Sequence, residues 1–375
     1  MSNILHISKY YYPYKGGIED MCHSVVDIIR NETTHNQEIV CFSNSRKTTI
    51  DYIDGIKIIR IGGLKKLASQ WISFRYLSIL KKEIKVFNPD IIHFHHPNPL
   101  IALYLLLTIK NKTKLIIHWH SDIIEQKILY YFVKPIENLL INRANVIIAT
   151  SQSYIEGSKQ LSRHKEKTIV IPCIINEEKL KQSEKTEEES RLIKSKYGNR
   201  KTVLYLGRHV KYKGLDLLLK SIEYISTDCA ILIGGHGPET RRLRETCANK
   251  GYKNVYFIGK IDDDEIAAYL HASDVFAFSS YKKNEAFGIA LLEAMYCSIP
   301  AVTFTIEGSG VNWVSINNKT GYEVKNGDYK GFGEAINKLL SNEEERKTMG
   351  ENARERVIHN FTAECIRERV IKLYD

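Results

Sequence analysis

The stretch Thr202-Val203-Leu204-Tyr205-Leu206-Gly207-Arg208-His209-Val210-Lys211-Tyr212-Lys213-Gly214-Leu215-Asp216 decides the fold. A short apolar run ends in a loop bracketed by two glycines, and a helical pattern follows. Arg208 and Lys213 stand on that strand-to-helix loop, the side of an open α/β sheet where ligands bind. An arginine offers phosphate oxygens a planar fork, and a lysine offers a compact mobile charge. Together the two suit a pyrophosphate leaving group.

Outward from this point the chain repeats the same unit. Strand-like runs in the first half include Asn3–Ile7, Gln37–Phe42, Ile56–Ile61, Ile91–Phe94, Lys114–Trp119, Asn145–Ala149 and Thr168–Ile171. In the second half they include Thr202–Leu206, Ala230–Ile233, Val255–Ile258, Val275–Phe278 and Ala301–Phe304. Helical stretches separate them, which implies α/β architecture with parallel sheets and helices on both faces. Two such series predict two Rossmann-like domains, 1–175 and 176–355, with the active cleft between them. The highly charged run Asn176–Lys196 reads as loop and helix at the junction.

Glu285 and Glu293 flank a second informative segment, Asn284-Glu285-Ala286-Phe287-Gly288-Ile289-Ala290-Leu291-Leu292-Glu293-Ala294-Met295. The apolar periodicity predicts a helix opening near Phe287, with its positive dipole end beside Gly288. Eight residues of helix rise roughly 12 Å, so the carboxylates reach two separate places on one ligand. Strand Ala230–Ile233 ends in Gly234-Gly235-His236-Gly237-Pro238, where glycines allow close backbone approach. No Gly-x-Gly-x-x-Gly dinucleotide fingerprint opens either domain. Asp262-Asp263-Asp264 imitates a metal motif, but its place before Glu265–Leu270 predicts helix capping.

Near the start, Tyr10-Tyr11-Tyr12-Pro13-Tyr14-Lys15-Gly16-Gly17 joins an amphipathic aromatic wall to an anion-friendly loop. Two histidine clusters end strands, His93-Phe94-His95-His96 and His118-Trp119-His120-Ser121-Asp122. His118 and His120 share a strand face, so one supports the other. With no spaced carboxylates to complete a ligand set, no metal is expected, and His120, at the strand end, is the candidate for a hydrogen-bonding or acid/base role in the cleft. Residues 64–87 predict a basic amphipathic helix, able to lie on anionic lipid or equally to serve as an ordinary Rossmann helix with a solvated basic face.

Composition narrows the partners. At 375 residues, 43% hydrophobic and 26% charged, the chain has the balance of a soluble two-domain protein. Its formal charge is +10, and residues 1–175 hold 23 Lys and Arg against 14 Asp and Glu. That excess admits an anionic membrane or a phosphorylated substrate. Nucleic acid is not expected, since no recognised module for it appears. Seven scattered cysteines without a Cys-x-x-Cys pair, and no secretory leader, predict a reduced cytoplasmic protein.

Taken in order, these motifs resemble the retaining glycosyltransferase family 4, with its GT-B fold of two Rossmann-like domains facing a cleft. The resemblance rests on the Gly-Gly loop, the His-ending strand, Gly-Arg-x4-Lys-Gly, Gly-Gly-x-Gly-Pro and Glu-x7-Glu, and covers nearly the whole chain. It implies a nucleotide-sugar donor, no cofactor, and no metal in the chemical step. It implies that Arg208 and Lys213 bind phosphates, Glu285 the donor hexose, and Glu293 the ribose. Gly235 and the backbone of Phe287, Gly288 and Ile289 would approach the donor, and Lys260 and Ile261 would flank the base. Gly16, Gly17 and His120 would face the reacting centre from the first domain, and residues about 356–375 would cross back onto it. Two segments depart from the pattern, Cys173-Ile174-Ile175-Asn176 and Glu285-Ala286-Phe287-Gly288, and neither removes a functional side chain.

The histidine-rich strands and basic first half are similar to bacterial members that extend O-antigen or capsule. That likeness implies a lipid-linked saccharide acceptor at the inner membrane face, with GDP-mannose as first donor and UDP-sugars next. Two other readings stay open. One is a GT-B nucleotide-sugar epimerase, and the other a non-catalytic sugar-nucleotide-binding subunit.

Overall fold

The computed structural model describes every residue except 15, 68–69 and 124–126. The chain divides into two units, Met1–Ile174 with Ile366–Asp375, and Ile175–Cys365.

The first unit runs β1 (Asn3–Ile7), α1 (Gly17–Glu32), β2 (Asn36–Phe42), β3 (Thr49–Ile53), β4 (Ile56–Ile61), β5 (Lys65–Leu67), β6 (Gln70–Ile72) and α2 (Phe74–Val86). It continues through β7 (Ile91–His96), α3 (Pro99–Thr108), β8 (Lys114–Trp119), α4 (Lys127–Arg143), β9 (Val146–Ala149), α5 (Gln152–Gly157) and β10 (Thr168–Val170). Eight strands form one sheet in the order β10-β9-β8-β7-β1-β2-β4-β3. Only β3 is antiparallel to its neighbour. All six residues of β7 are buried, as expected of a central parallel strand covered on both faces.

The second unit holds α6 (Glu184–Lys196), β11 (Lys201–Leu206), α7 (Leu215–Ser221), β12 (Cys229–Gly234), α8 (Thr240–Lys250), β13 (Val255–Gly259), α9 (Ile266–His271) and β14 (Val275–Phe278). There follow α10 (Ile289–Tyr296), β15 (Ala301–Phe304), α11 (Val311–Val314), β16 (Gly321–Val324), α12 (Tyr329–Ser341), α13 (Glu343–Asn360) and α14 (Ala363–Ile371), the last leading into the first unit. Its six strands are all parallel, in the order β13-β12-β11-β14-β15-β16. Val203, Ile231, Val302 and Phe304 of the sheet meet Leu218, Phe332 and Ile336 in its core. In both sheets the order reverses at the first strand, β1 or β11, and the crevice beside it is where such folds bind ligands.

Several expectations need correction. Residues 64–87 are not one helix. Among the described residues, β5 and β6 pair as an antiparallel hairpin and only Phe74–Val86 is helical; Ala68 and Ser69 lie outside the described residues. The apolar spacing matched a helical period, but tertiary pairing overrode it. The division of units also differs. Ile175 N–H donates to Phe361 O at 3.0 Å, which ties the segment after Ile174 to the second unit. Phe361 is fully buried, edge-on to Phe287 and Trp313, so residues 356–365 stay in the second unit. Only Ile366–Asp375 joins the first, where Tyr374 is buried and its hydroxyl lies 2.5 Å from His93 Nδ1. The aspartates do not cap α9, whose N-cap is Glu265 without a side-chain bond. Instead Asp263 holds Lys179 at 3.1 Å and Asp262 faces Lys260 at 3.6 Å.

Candidate active site

In the second unit, β11 carries Leu206, Gly207 and Arg208 to the rim of a cavity of about 390 Å³. The turn after β12 brings Gly234 and Gly235, and the turn after β13 brings Lys260 and Ile261. Ala290 and Glu293 of α10 close the opposite wall. Five residues singled out in the sequence, Arg208, Gly235, Lys260, Ile261 and Glu293, therefore line one cavity. The wall is mainly apolar and backbone, with one exposed guanidinium on it. Gly235 makes this convergence possible. Its φ is +116°, and a Cβ there would fall 1.9 Å from the Gly207 carbonyl oxygen.

Lys213 and Glu285 form a direct ion pair beside this cavity's forming loop. The side chains are 15% and 11% exposed, so the pair is mostly shielded from water. Ser280 Oγ donates to the same carboxylate oxygen, Oε2, at 2.8 Å. Among the described residues Oε1 takes no hydrogen bond. The ammonium also sits 5.6 Å from the Phe278 ring centroid and 5.7 Å from that of Tyr212. Burial pulls the Lys213 ammonium down, yet the Glu285 carboxylate and Tyr212 together outweigh it and hold the lysine above its ordinary value. The site thus keeps a fixed cation whose own charge is balanced until an anion competes for it. Glu285 was expected to accept from donor-sugar hydroxyls; in the structure its Oε2 is taken by Lys213 and Ser280.

The helix after Glu285 begins later than expected. Gly288 is its N-cap at φ +96°, so the right-handed turn starts at Ile289 and not near Phe287. Glu293 is therefore little more than one turn in, about 6 Å along the axis. Among the described residues no side chain caps this end. Phe287 points into the core beside Trp313. Ser309, after β15, donates its hydroxyl to the Glu285 carbonyl, and Gly310 N–H donates to Ala286 O at 2.8 Å. Sequence reasoning missed Ser280 and Ser309. Ser280 was legible, since Ser279-Ser280 directly follows β14 at the ligand end of the sheet. Ser309 was not, because its role depends on two loops meeting.

The first unit places its own candidates around β1, β7 and β8. Gly16 caps α1 and Gly17 opens it; Lys15 of the same loop lies outside the described residues. Tyr10 and Tyr11 are buried, while Tyr12 and Tyr14 are exposed. His120 Nε2 lies 2.9 Å from His95 Nδ1, and its ring stacks on His118 with centroids 4.2 Å apart. The mutual support expected of His118 and His120 is thus ring stacking, with the hydrogen bond supplied by His95. Burial lowers these imidazoles, His6 to about 4 and His120 to about 3, and His93, His95 and His118 well below 6.5. His120 is accordingly a neutral imidazole, which can give and take hydrogen bonds but resists taking up a proton. His93, His95 and His118 bring ring nitrogens within 4.8 Å of one another. Their rings are near parallel, at 1° for His93 with His118 and 22° for His95 with His118.

Comparison with known proteins places the whole architecture. Residues 16–179 match the family model for Glycosyltransferase Family 4, and residues 186–356 match that for Glycosyl transferases group 1. The O-antigen chain mannosyltransferase C of Escherichia coli is 29% identical over 377 residues, covering 99% of this chain and 97% of that protein. The D-rhamnosyltransferase WbpZ of Pseudomonas aeruginosa is 30% identical over 364 residues, covering 96% and 92%. The solved complex of Anabaena Alr3699/HepE with UDP-glucose matches with a TM-score of 0.80 at 17% identity, over 100% of this chain and 99% of that one. At that identity the likeness speaks for the fold. The two unit architectures, the two family models and the full-length relatives agree, and the chain belongs to glycosyltransferase family 4, with the GT-B fold.

Proposed function

We propose that this glycosyltransferase moves a hexose from a nucleotide sugar to a hydroxyl of a lipid-linked glycan, with retention at the anomeric carbon, in the synthesis of O-antigen or a related surface polysaccharide. One observation carries the donor reading. Two cations from a single loop, Arg208 and Lys213, and two carboxylates on either side of the α10 opening surround one side of the second unit's sheet. The base would lie by Lys260 and Ile261, the ribose by Glu293, and the phosphates against Arg208 and the α10 N-terminus. The hexose would take Glu285 Oε1. Close backbone approach would come from Gly235 and from Gly288 and Ile289, with Phe287 supporting that loop from the core.

In the reaction the bond from the anomeric carbon to the β-phosphate oxygen breaks, and one to the acceptor oxygen forms on the same face. The acceptor proton passes to the departing phosphate. Arg208 and Lys213 stabilise the charge growing there, as fixed donors in a partly dry site do. Glu285 binds and balances charge and is not a nucleophile. On the first unit, Gly16 and Gly17 would admit the acceptor, and neutral His120 would hydrogen-bond the reacting sugar. The site as read needs no cofactor, and its countercharge comes from protein cations.

GDP-mannose is the first donor, in keeping with the mannosyltransferase among the relatives, and a UDP-sugar the next. A cytoplasmic site of action fits this donor class. Among the described residues no helix is long and apolar enough to cross a membrane. A thermal-shift panel of nucleotides and nucleotide sugars tests the order of donors. Stabilisation by GDP and GDP-mannose above UDP is expected; the reverse order would replace the donor. The anomeric configuration of the product by NMR tests retention.

Gly235→Ala tests the cavity itself. The added methyl must push the Gly207 carbonyl away, at about 1–3 kcal/mol of strain. Nucleotide affinity is expected to fall about tenfold or more by titration calorimetry, with the far-UV spectrum unchanged. Wild-type affinity would show that the ligand lies elsewhere.

A further inference from the structure

His209, the residue after Arg208, lies in a loop and is nevertheless fully buried. A polar side chain shut away from water needs a partner. Its Nδ1 lies 2.8 Å from Oγ1 of Thr240, the first residue of α8. The same Oγ1 accepts from Gly237 N–H at 2.9 Å and stands 2.9 Å from Gly237 O. With the hydroxyl proton on Gly237 O and Nδ1–H donating to Oγ1, all these groups are satisfied together. Backbone bonds run alongside. His209 N–H donates to His236 O at 3.2 Å, and Glu239 N–H donates to His209 O at 3.0 Å. Gly237 fits against this loop because it has no side chain; a Cβ there would fall 2.4 Å from His209 O. The other ring nitrogen, Nε2, lies 3.4 Å from where a Cβ of Gly235 would be. His209 therefore ties together the two turns that bring Arg208 and Gly235 to the cavity rim. Nearby, Arg242 of α8 pairs with Asp216 of α7 at 2.7 Å, but both side chains are exposed, and such pairs hold weakly. The buried side-chain link is the one from His209 to Thr240.

We infer that His209 is a positioning residue for the nucleotide sugar: bonded to Thr240, it locks the Gly234–Gly237 turn against the Arg208 loop and holds the cavity at the width the nucleotide needs. This rests on the donor reading above, which puts the nucleotide in that cavity. A turn already held in its binding geometry loses little freedom when the ligand arrives, and the saving appears as affinity. His209 is buried beneath the rim, so it acts through the turn and not on the bond being broken.

The full-length chain is titrated by calorimetry with whichever of GDP and UDP binds the wild type more tightly. His209→Leu keeps an apolar side chain near the rings of Tyr205 and Phe257 and removes Nδ1. Its affinity is expected to fall about tenfold, the cost of one buried hydrogen bond left unmade. Thr240→Val removes the hydroxyl and should lose at least as much. Adding His209→Leu to Thr240→Val should lower affinity no further, because the same bond is already gone. His209→Asn sets an amide where Nδ1 stood and should restore affinity to within about threefold of wild type. A role in packing alone would make the asparagine variant as weak as the leucine one. That result, wild-type affinity in His209→Leu or Thr240→Val, or a further drop in the double variant would overturn the inference. Thr240 is only partly buried, so its valine variant decides the matter should His209→Leu fail to fold. Gly235→Ala separates this inference from the donor reading. If it too leaves affinity unchanged, the nucleotide lies elsewhere and that reading fails; if it weakens binding and His209→Leu does not, only the role of His209 falls.

Discussion

Lys213→Ala is expected to lower transfer by about 10²–10³-fold, the range found when one fixed donor to a developing charge is removed. The loss should fall on turnover more than on acceptor KM, because the leaving phosphate gains charge only as the bond breaks. Lys213 also neutralises Glu285, so the same change leaves a mostly buried carboxylate whose remaining side-chain donor, among the described residues, is Ser280. Breaking such a pair costs about 3–5 kcal/mol of stability. Two further variants separate these effects. Lys213→Ala/Glu285→Gln removes the orphaned charge and should regain stability in urea unfolding without regaining turnover. Arg208→Ala changes an exposed side chain and should lose turnover to a similar degree with little loss of stability. Near-wild-type turnover in both Arg208→Ala and Lys213→Ala would sink the phosphate assignment.

The second large effect concerns acid. His6, His93, His95, His118 and His120 are buried in the first unit, and burial depresses all five. In the unfolded chain each titrates near its ordinary 6.5, so below that pH the unfolded state binds protons that the native state refuses. Stability therefore rises with pH across this window and falls as pH drops from about 6.5 toward the folded values near 4 and 3 for His6 and His120. By pH 5 each such histidine removes about 2 kcal/mol, although five in contact do not add independently. Urea unfolding midpoints between pH 7.5 and 5 should fall steeply, as set by these titrations. His118 has no hydrogen-bond partner at either ring nitrogen among the described residues. His118→Phe keeps a planar ring in the stack and removes one of these protonation sites, so it should flatten the profile. A flat profile in the wild type would mean that the histidines are hydrated or paired in solution.

The limits of reading from sequence show at particular residues. β3 was missed although Asp54-Gly55 joins it to β4 as a two-residue turn with both φ values positive, a legible hairpin signal. β16 was missed because Gly321–Val324 is four residues long with one glycine, too short for periodicity to speak. The 64–87 reading failed where an antiparallel hairpin took residues whose spacing also suited a helix. The two histidine clusters were visible, but their depressed protonation was not, since it arises from strands β7 and β8 lying side by side.

By itself the sequence determined the parallel α/β architecture, the two-unit plan and the loops that end in Arg208, Gly235 and Gly288. These follow from local alternation of apolar runs, glycines and helix starts, which neighbouring residues encode. Tertiary structure alone decided that Lys213 meets Glu285 and that Ser309 holds that glutamate's loop. Those contacts join residues dozens of positions apart, and their energies come from burial and from the charge left unpaired, which exist only once the chain has closed around them.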